Sequence, residues 1–295
     1  MLTLETLVEL AQRNADALKT NVREFTIGGE AFPWNSCPAV MGVVNLSADS
    51  WYRESVCLSA QAAIERGTVL QAQGARIIDI GAESTLAHAV RADDALQASM
   101  LLPVIRELRA RKILVSAETY SAAVARACLE AGANVLNLTG TTNTEEIFRL
   151  AAAHDAAVIV CYVEGEHVRA VSDFNLSSDP IPRMREYFAR QLELATRVGL
   201  ERVVIDPGLG FYYRNLQDST VRVRHQMSVF LNTFRLRSLG VPVCHALPHA
   251  FEFFRDEVRS AEPFFAVLAA LGKTDLFRTH EVPRTRAVLE TLGTF

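Results

Sequence analysis

Residues 76–84, RIIDIGAES, decide how this chain is read. Ile77, Ile78 and Ile80 make an apolar run interrupted by Asp79, and the run gives way to Glu83 and Ser84. The same grammar recurs along the chain: VMGVVN ends at Asn45, ILVSAET carries Glu118, NVLN ends at Asn137, RVVIDPG carries Asp206, and DLFRTH carries Arg278 and His280. Short, nearly continuous apolar runs mark parallel strands buried on both faces. Where such strands close into a barrel, their C-terminal ends meet on one face, which holds the site. One barrel mouth would gather all of these polar groups.

Working outward, strands are expected near 39–45, 76–81, 113–118, 133–138, 156–162, 202–206, 241–246 and 275–279. Helical stretches fall near 58–74, 93–110, 120–132, 144–154, 181–199, 219–239 and 259–272, with a last helix near 283–292. This count predicts an α/β fold, a (β/α)8 TIM barrel, with an open doubly wound sheet as the alternative. A helix over about 3–20 and a hairpin in REFTIGGEAF, turning at Gly28-Gly29, precede it. The expected division is 1–37 for the helix and barrel-closing hairpin and 38–295 for the barrel. Residues 163–180, long and polar, are expected to form a mobile loop over the site.

A length of 295 residues suits one such barrel of roughly 250 residues with an extension. At 49% hydrophobic and 22% charged residues the chain can bury a large core. A formal charge of -4 argues against nucleic acid and against an anionic membrane surface as partners, so small molecules are expected. Cys37, Cys57, Cys128, Cys161 and Cys244 lack CxxC or His spacing, which argues against a zinc or disulfide framework. The N-terminal stretch has helical periodicity and acidic residues rather than a secretory apolar region, and no run reaches the roughly 18 apolar residues of a membrane span. These features predict a cytoplasmic protein.

The motifs also match a family. MGVVNLSADSW, GARIIDIGAEST, SAETY, VLNLTG, IDPGLGF and FRTHEV, in this order from about residue 38 to 283, resemble the strand-end motifs of dihydropteroate synthases. The resemblance implies a pterin-binding barrel that joins a dihydropterin methyl pyrophosphate to an amine, p-aminobenzoate in the family, and releases pyrophosphate. It implies that Glu118, Asn137, Asp206 and His249 bind the pterin and that Asn45, Arg278 and His280 bind the pyrophosphate. It further implies Mg2+ with Asn45 as its ligand, and Asp206, Arg278 and His280 as the catalytic set. A homodimer is compatible with this reading.

Each residue also has a plainer reading. Asp206 before Pro-Gly builds a turn, Asn45 and Asn137 cap loops, and Arg278 pairs internally with Asp79 or Glu83. His245 reads as a core histidine, and the Cys161-Tyr162 pair fills the barrel or stacks on a planar ligand.

The chain departs from the family pattern on one side. The family's seventh-strand SRK reads Leu247-Pro248-His249, its STRPG arginine is Leu86, its TPDSF proline is Ala48, and the lysine of DPGxGFxK is Tyr213. The only lysines are Lys19, Lys112 and Lys273, all away from the expected mouth. Three functions follow: a pterin transferase with an altered nucleophile, a non-catalytic pterin-binding or subunit protein, and a methyltetrahydropterin methyltransferase. The last is disfavoured by retention of Asn45, Arg278 and His280.

Overall fold

The computed structural model describes residues 1–47, 49, 52–83, 91–168, 170, 173–211 and 213–295. Two short helices, α1 (Leu4–Arg13) and α2 (Ala15–Leu18), lead into a hairpin of β1 (Phe25–Ile27) and β2 (Glu30–Phe32). Gly28 and Gly29 turn it at φ 57° and 87°, the left-handed conformations a two-residue hairpin requires. Strands β3 (Ala39–Asn45), β4 (Ile77–Gly81), β5 (Leu114–Thr119), β6 (Val135–Leu138), β7 (Ala157–Cys161), β8 (Val203–Asp206), β9 (Cys244–Ala246) and β10 (Leu276–Thr279) then form one parallel sheet. Its order is β8-β7-β6-β5-β4-β3-β10-β9. A parallel bridge between Ile205 and Val243 joins the two ends, with the Ile205 N–H donating to the Pro242 carbonyl at 3.0 Å, so the sheet closes as a barrel.

The helices are α3 (Ala60–Ala72), α4 (Asp94–Ala110), α5 (Ala122–Glu130), α6 (Thr144–Ala153), α7 (Ile181–Arg197), α8 (Ser219–Leu236), the short α9 (Phe251–Phe254), α10 (Ala261–Leu271) and α11 (Val282–Leu292). Ser59, Asp93, Ser121 and Asp218 cap α3, α4, α5 and α8 by accepting a backbone N–H three residues on, which satisfies one otherwise unpaired donor in each. No helix among the described residues is long and apolar enough to cross a membrane.

Two apolar layers follow from the two-residue period of the strands. Outward residues such as Val40, Ile78, Val115, Leu136, Val158, Ile205 and Phe277 pack against the helices. Inward residues Met41, Ile77, Leu114, Val135, Ile159, Val204 and Leu276 fill the lumen, where they meet Val22, Ile27, Phe32 and Trp34 from the hairpin region. The hairpin therefore plugs the N-terminal end of the barrel. Lys112 and Lys273 precede β5 and β10 at that same end, and Lys273 Nζ donates to the Leu18 carbonyl.

Of the 163–180 stretch, residues 169, 171 and 172 lie outside the described residues. Among the rest, several backbone N–H groups are paired. The Phe174 N–H donates to Asn215 Oδ1 at 2.8 Å, the Asn175 N–H to Glu164 Oε2 at 2.7 Å, and the Glu164 N–H to the Tyr213 hydroxyl at 3.0 Å.

Candidate active site

The alternation that sends Ile77, Leu114, Val135, Ile159, Val204 and Leu276 into the lumen sends Asp79, Glu118, Asn137, Cys161, Asp206 and Arg278 there too, nearer the C-terminal ends. Register then fixes neighbours: Glu118 is level with Asn137, Cys161 with Asp206, and Arg278 with Ala246. Asn45, Glu118, Asn137, Asp206, His249, Arg278 and His280 all line one cleft at the mouth.

Arg278 organises the floor of this cleft. Its Nε donates to Asp79 Oδ2 at 2.8 Å and its Nη2 to Glu118 Oε2 at 2.7 Å. Asn137 Nδ2 also donates to Asp79 Oδ2, at 3.1 Å, while Asn137 Oδ1 accepts from the Cys161 thiol at 3.4 Å. Since the carboxylate can only accept, the amide orientation is set, and Asn137 keeps one N–H and one lone pair for a ligand. The internal pairing of Arg278 is thus with Asp79 and Glu118. Glu83 instead accepts from the Tyr120 hydroxyl at 2.5 Å and from the Ala92 N–H at 3.2 Å.

Asp206 is almost fully buried, with Oδ1 accepting the Gly208 N–H at 2.7 Å. Gly208 sits at φ 73°, and a side chain there would collide with the Tyr162 carbonyl oxygen, so only glycine delivers this turn. Burial raises Asp206 to about 6, against the pull of the Gly208 N–H and Arg278. Burial likewise raises Glu118 to about 7; Arg278 opposes the rise, while Asp79, Asp206 and Glu83 reinforce it. Three carboxylates around one guanidinium leave excess negative charge in a desolvated space, which favours a ligand rich in N–H donors.

On the opposite side, Ser55 donates its one hydroxyl proton to the Tyr52 carbonyl at 2.7 Å, so its oxygen can only accept from Asn45 Nδ2 at 2.6 Å. Asn45 Oδ1 is left for the cleft. Beside it, fully buried Glu262 takes the His280 N–H at 3.0 Å and the Glu281 N–H at 3.1 Å on Oε2, together with the Thr279 hydroxyl. Its Oε1 lies 2.7 Å from His280 Nδ1. Burial lowers His280 below the ordinary histidine value despite the neighbouring Glu262, keeping the ring mainly neutral near pH 7.

His249 stands in this second group. Tyr52 stacks on it at 4.6 Å between centroids and 17° between planes, and its Nε2 is 3.1 Å from Glu262 Oε1. Its neighbours are therefore Tyr52, Phe251, His280 and Glu262 rather than Glu118, Asn137 and Asp206. His245 is a core residue, fully buried with Nε2 2.7 Å from the Thr233 hydroxyl. Tyr162 and Tyr213 are also buried in packing positions. Ala48, Ser84 and Leu86 lie outside the described residues.

Sequence reasoning missed Glu262 and Tyr52. Glu262 falls in SAEPFFAVLAAL, where an acid within an apolar helix was the available signal. Tyr52 carried none, because its ring is placed by partners more than 190 residues away in sequence, His249 and Glu281.

Residues 41–246 match the sequence model of the family described as "Pterin binding enzyme". The chain is 34% identical over 270 residues to a dihydropteroate synthase of Synechocystis sp., covering 87% of this chain and 89% of that protein. It is 31% identical over 265 residues to the Mycobacterium leprae dihydropteroate synthase, covering 86% and 92%. Among solved structures it is similar to Xanthomonas albilineans dihydropteroate synthase with 4-aminobenzoic acid, at TM-score 0.77 and 25% identity over 93% of this chain and 98% of that one. The Yersinia pestis dihydropteroate synthase with a sulfonamide drug shares the fold at TM-score 0.78 and 20% identity, over 92% and 98%.

Proposed function

The chain belongs to the family of pterin-binding enzymes, and from that membership we propose a dihydropteroate synthase-like transferase that condenses a dihydropterin methyl pyrophosphate with an amine. The observation that carries the reading is the group of Glu118, Asn137 and Asp206, inward on β5, β6 and β8 beside the Arg278 guanidinium. A pterin's aminopyrimidinone edge presents adjacent donors and acceptors. Asp206 would accept from its ring N–H and amino group, and Asn137 would supply the free N–H and lone pair left by its internal bonds.

Asn45, Arg278 and His280 would face the leaving pyrophosphate. As the amine forms its bond to the pterin methylene carbon, the carbon–oxygen bond to pyrophosphate breaks, negative charge grows on the departing group, and the amine gives up a proton. A guanidinium beside the departing group stabilises that charge once one of its edges is free to meet it. Glu118 is the partner of Arg278 that can let go: raised to about 7, it accepts a proton near neutrality, and Arg278 then turns one edge to the anion.

Mg2+ fits one feature of this side. Asn45 Oδ1 is a hard oxygen donor, suited to an ion that arrives largely liganded by phosphate oxygens. Such an ion would neutralise charge on the pyrophosphate. No carboxylate is ligated to it in this reading. Calorimetric titration with 6-hydroxymethylpterin tests the function: saturable binding is expected, and none at millimolar ligand with the fold intact would overturn it.

A further inference from the structure

The side of the mouth that has lost the family's lysine holds a group of residues suited to a different cation. One ligand atom from each of His249, Glu262 and His280 lies within 4.8 Å of the other two, with His249 Nε2 and His280 Nδ1 at 3.1 and 2.7 Å from Glu262 Oε1. Glu262 is fully buried and the two imidazole side chains are only 11% and 12% exposed. Two histidines and a carboxylate are a zinc-type donor set, and imidazole selects such an ion over Mg2+.

One detail sets this group apart from an ordinary His–Glu hydrogen bond. His280 Nδ1 is satisfied by Glu262 at 2.7 Å. His249 Nε2, 3.1 Å from the same oxygen, is buried and lacks a hydrogen bond of acceptable geometry. Metal bonds of about 2.0–2.1 Å in a tetrahedron put ligand atoms about 3.3 Å apart. The His249–Glu262 separation is already near that figure, and the His280–Glu262 one reaches it by a shift of about half an ångström once the Nδ1 proton leaves.

The surroundings hold these ligands in place. The Thr279 hydroxyl and the His280 and Glu281 N–H groups fix the Glu262 carboxylate. Tyr52 stacks on His249 and lies tilted against His280 at 4.8 Å, and its hydroxyl donates to Glu281, which Arg259 grips at 2.6 and 2.9 Å. Supporting contacts of this kind orient metal-binding side chains.

We propose that His249, Glu262 and His280 bind a zinc-class divalent transition ion, whose open fourth position faces the mouth cleft and takes a phosphate oxygen. Binding replaces the Nδ1 proton of His280, which is released to solvent. Only the identity of the fourth ligand rests on the transferase reading. The ion would put positive charge where a histidine stands in place of the family's lysine.

The test uses the full chain after dialysis against a chelator. Titration with Co2+ should give one equivalent bound with the visible d–d absorption of a four-coordinate site, displaced by Zn2+ and not by millimolar Mg2+. His249→Phe, which keeps the ring stack, should weaken binding at least about tenfold, since loss of even a supporting contact to a ligand costs about 10–100-fold. X-ray absorption of the zinc-loaded wild-type protein needs no variant and should show two imidazole ligands. No stoichiometric Co2+ or Zn2+ binding, equal binding by His249→Phe, or a zinc spectrum without imidazole would overturn the proposal and leave a hydrogen-bonded His–Glu group only. Titration of the same chelator-treated protein with 6-hydroxymethylpterin reports on the transferase reading separately.

Discussion

Arg278 on β10 and Glu118 on β5 meet inside the lumen at 2.7 Å, although β3 and β4 separate their strands in the sheet. This pair, with Asp79 on the other edge of the guanidinium, makes the floor of the cleft a charged assembly that must be balanced whether or not a ligand is present.

Arg278→Ala strands fully buried Asp79 and nearly buried Glu118 beside Asp206. The expected loss is about 3–5 kcal/mol in unfolding free energy, measured by denaturant titration. Arg278→Lys should recover only part of it, because an ammonium group cannot present two edges to two carboxylates. A variant as stable as the parent would show the network to be idle.

Asp206→Asn should weaken binding of 6-hydroxymethylpterin by about 1.5–3 kcal/mol, the scale of a charge-assisted hydrogen bond. Isothermal calorimetry reads this directly. Unchanged affinity would remove Asp206 from the pterin edge.

The pH dependence has a definite sign. Asp206 at about 6 and Glu118 at about 7 both lie above their ordinary values of 3.8 and 4.5, so the folded chain holds more protons than the unfolded chain between those limits. Their contribution to stability is therefore greatest below about pH 4 and is lost as pH rises through about 6 to 7. The melting temperature of Glu118→Gln should fall less than that of the parent over this range. An identical slope in both proteins would contradict the assignment.

Condensation with p-aminobenzoate itself should be slow. Lys19, Lys112 and Lys273 all lie outside the cleft, and the motif resemblance puts His249, just past the end of β9, where the family has a lysine. One missing electrostatic contact of this kind typically costs about 10²–10³ in rate. Sulfonamide mimics of p-aminobenzoate should bind weakly for the same reason. Turnover with p-aminobenzoate near or above about 1 s⁻¹ would refute this expectation.

The barrel was legible because parallel strands buried on both faces write themselves as apolar runs, and the polar residue ending each run marks the mouth. RIIDIG and RVVID show this directly, placing Asp79 and Asp206 inward by parity with Ile77 and Val204. Partnerships across the lumen were less legible. Arg278 pairing with Glu118, and not Glu83, depends on strand register around the barrel, which no local pattern encodes. The His249–Glu262–His280 group was hidden for the same reason: α9 and α10 bring Glu262 beside two histidines 13 and 18 residues away. The stretch before α10 also holds α9 and a 3-10 turn, where no helix was expected.

The hairpin plug makes the lumen a blind alley. With Ile27, Phe32 and Trp34 packed into one end, the way in is also the way out. If a flat ring rests on Asp206 and Asn137, as proposed, it enters before anything that lies nearer the opening. Kinetics with two substrates should therefore be sequential with a compulsory order, the amine arriving last, and the inhibition patterns of products should carry that order in reverse.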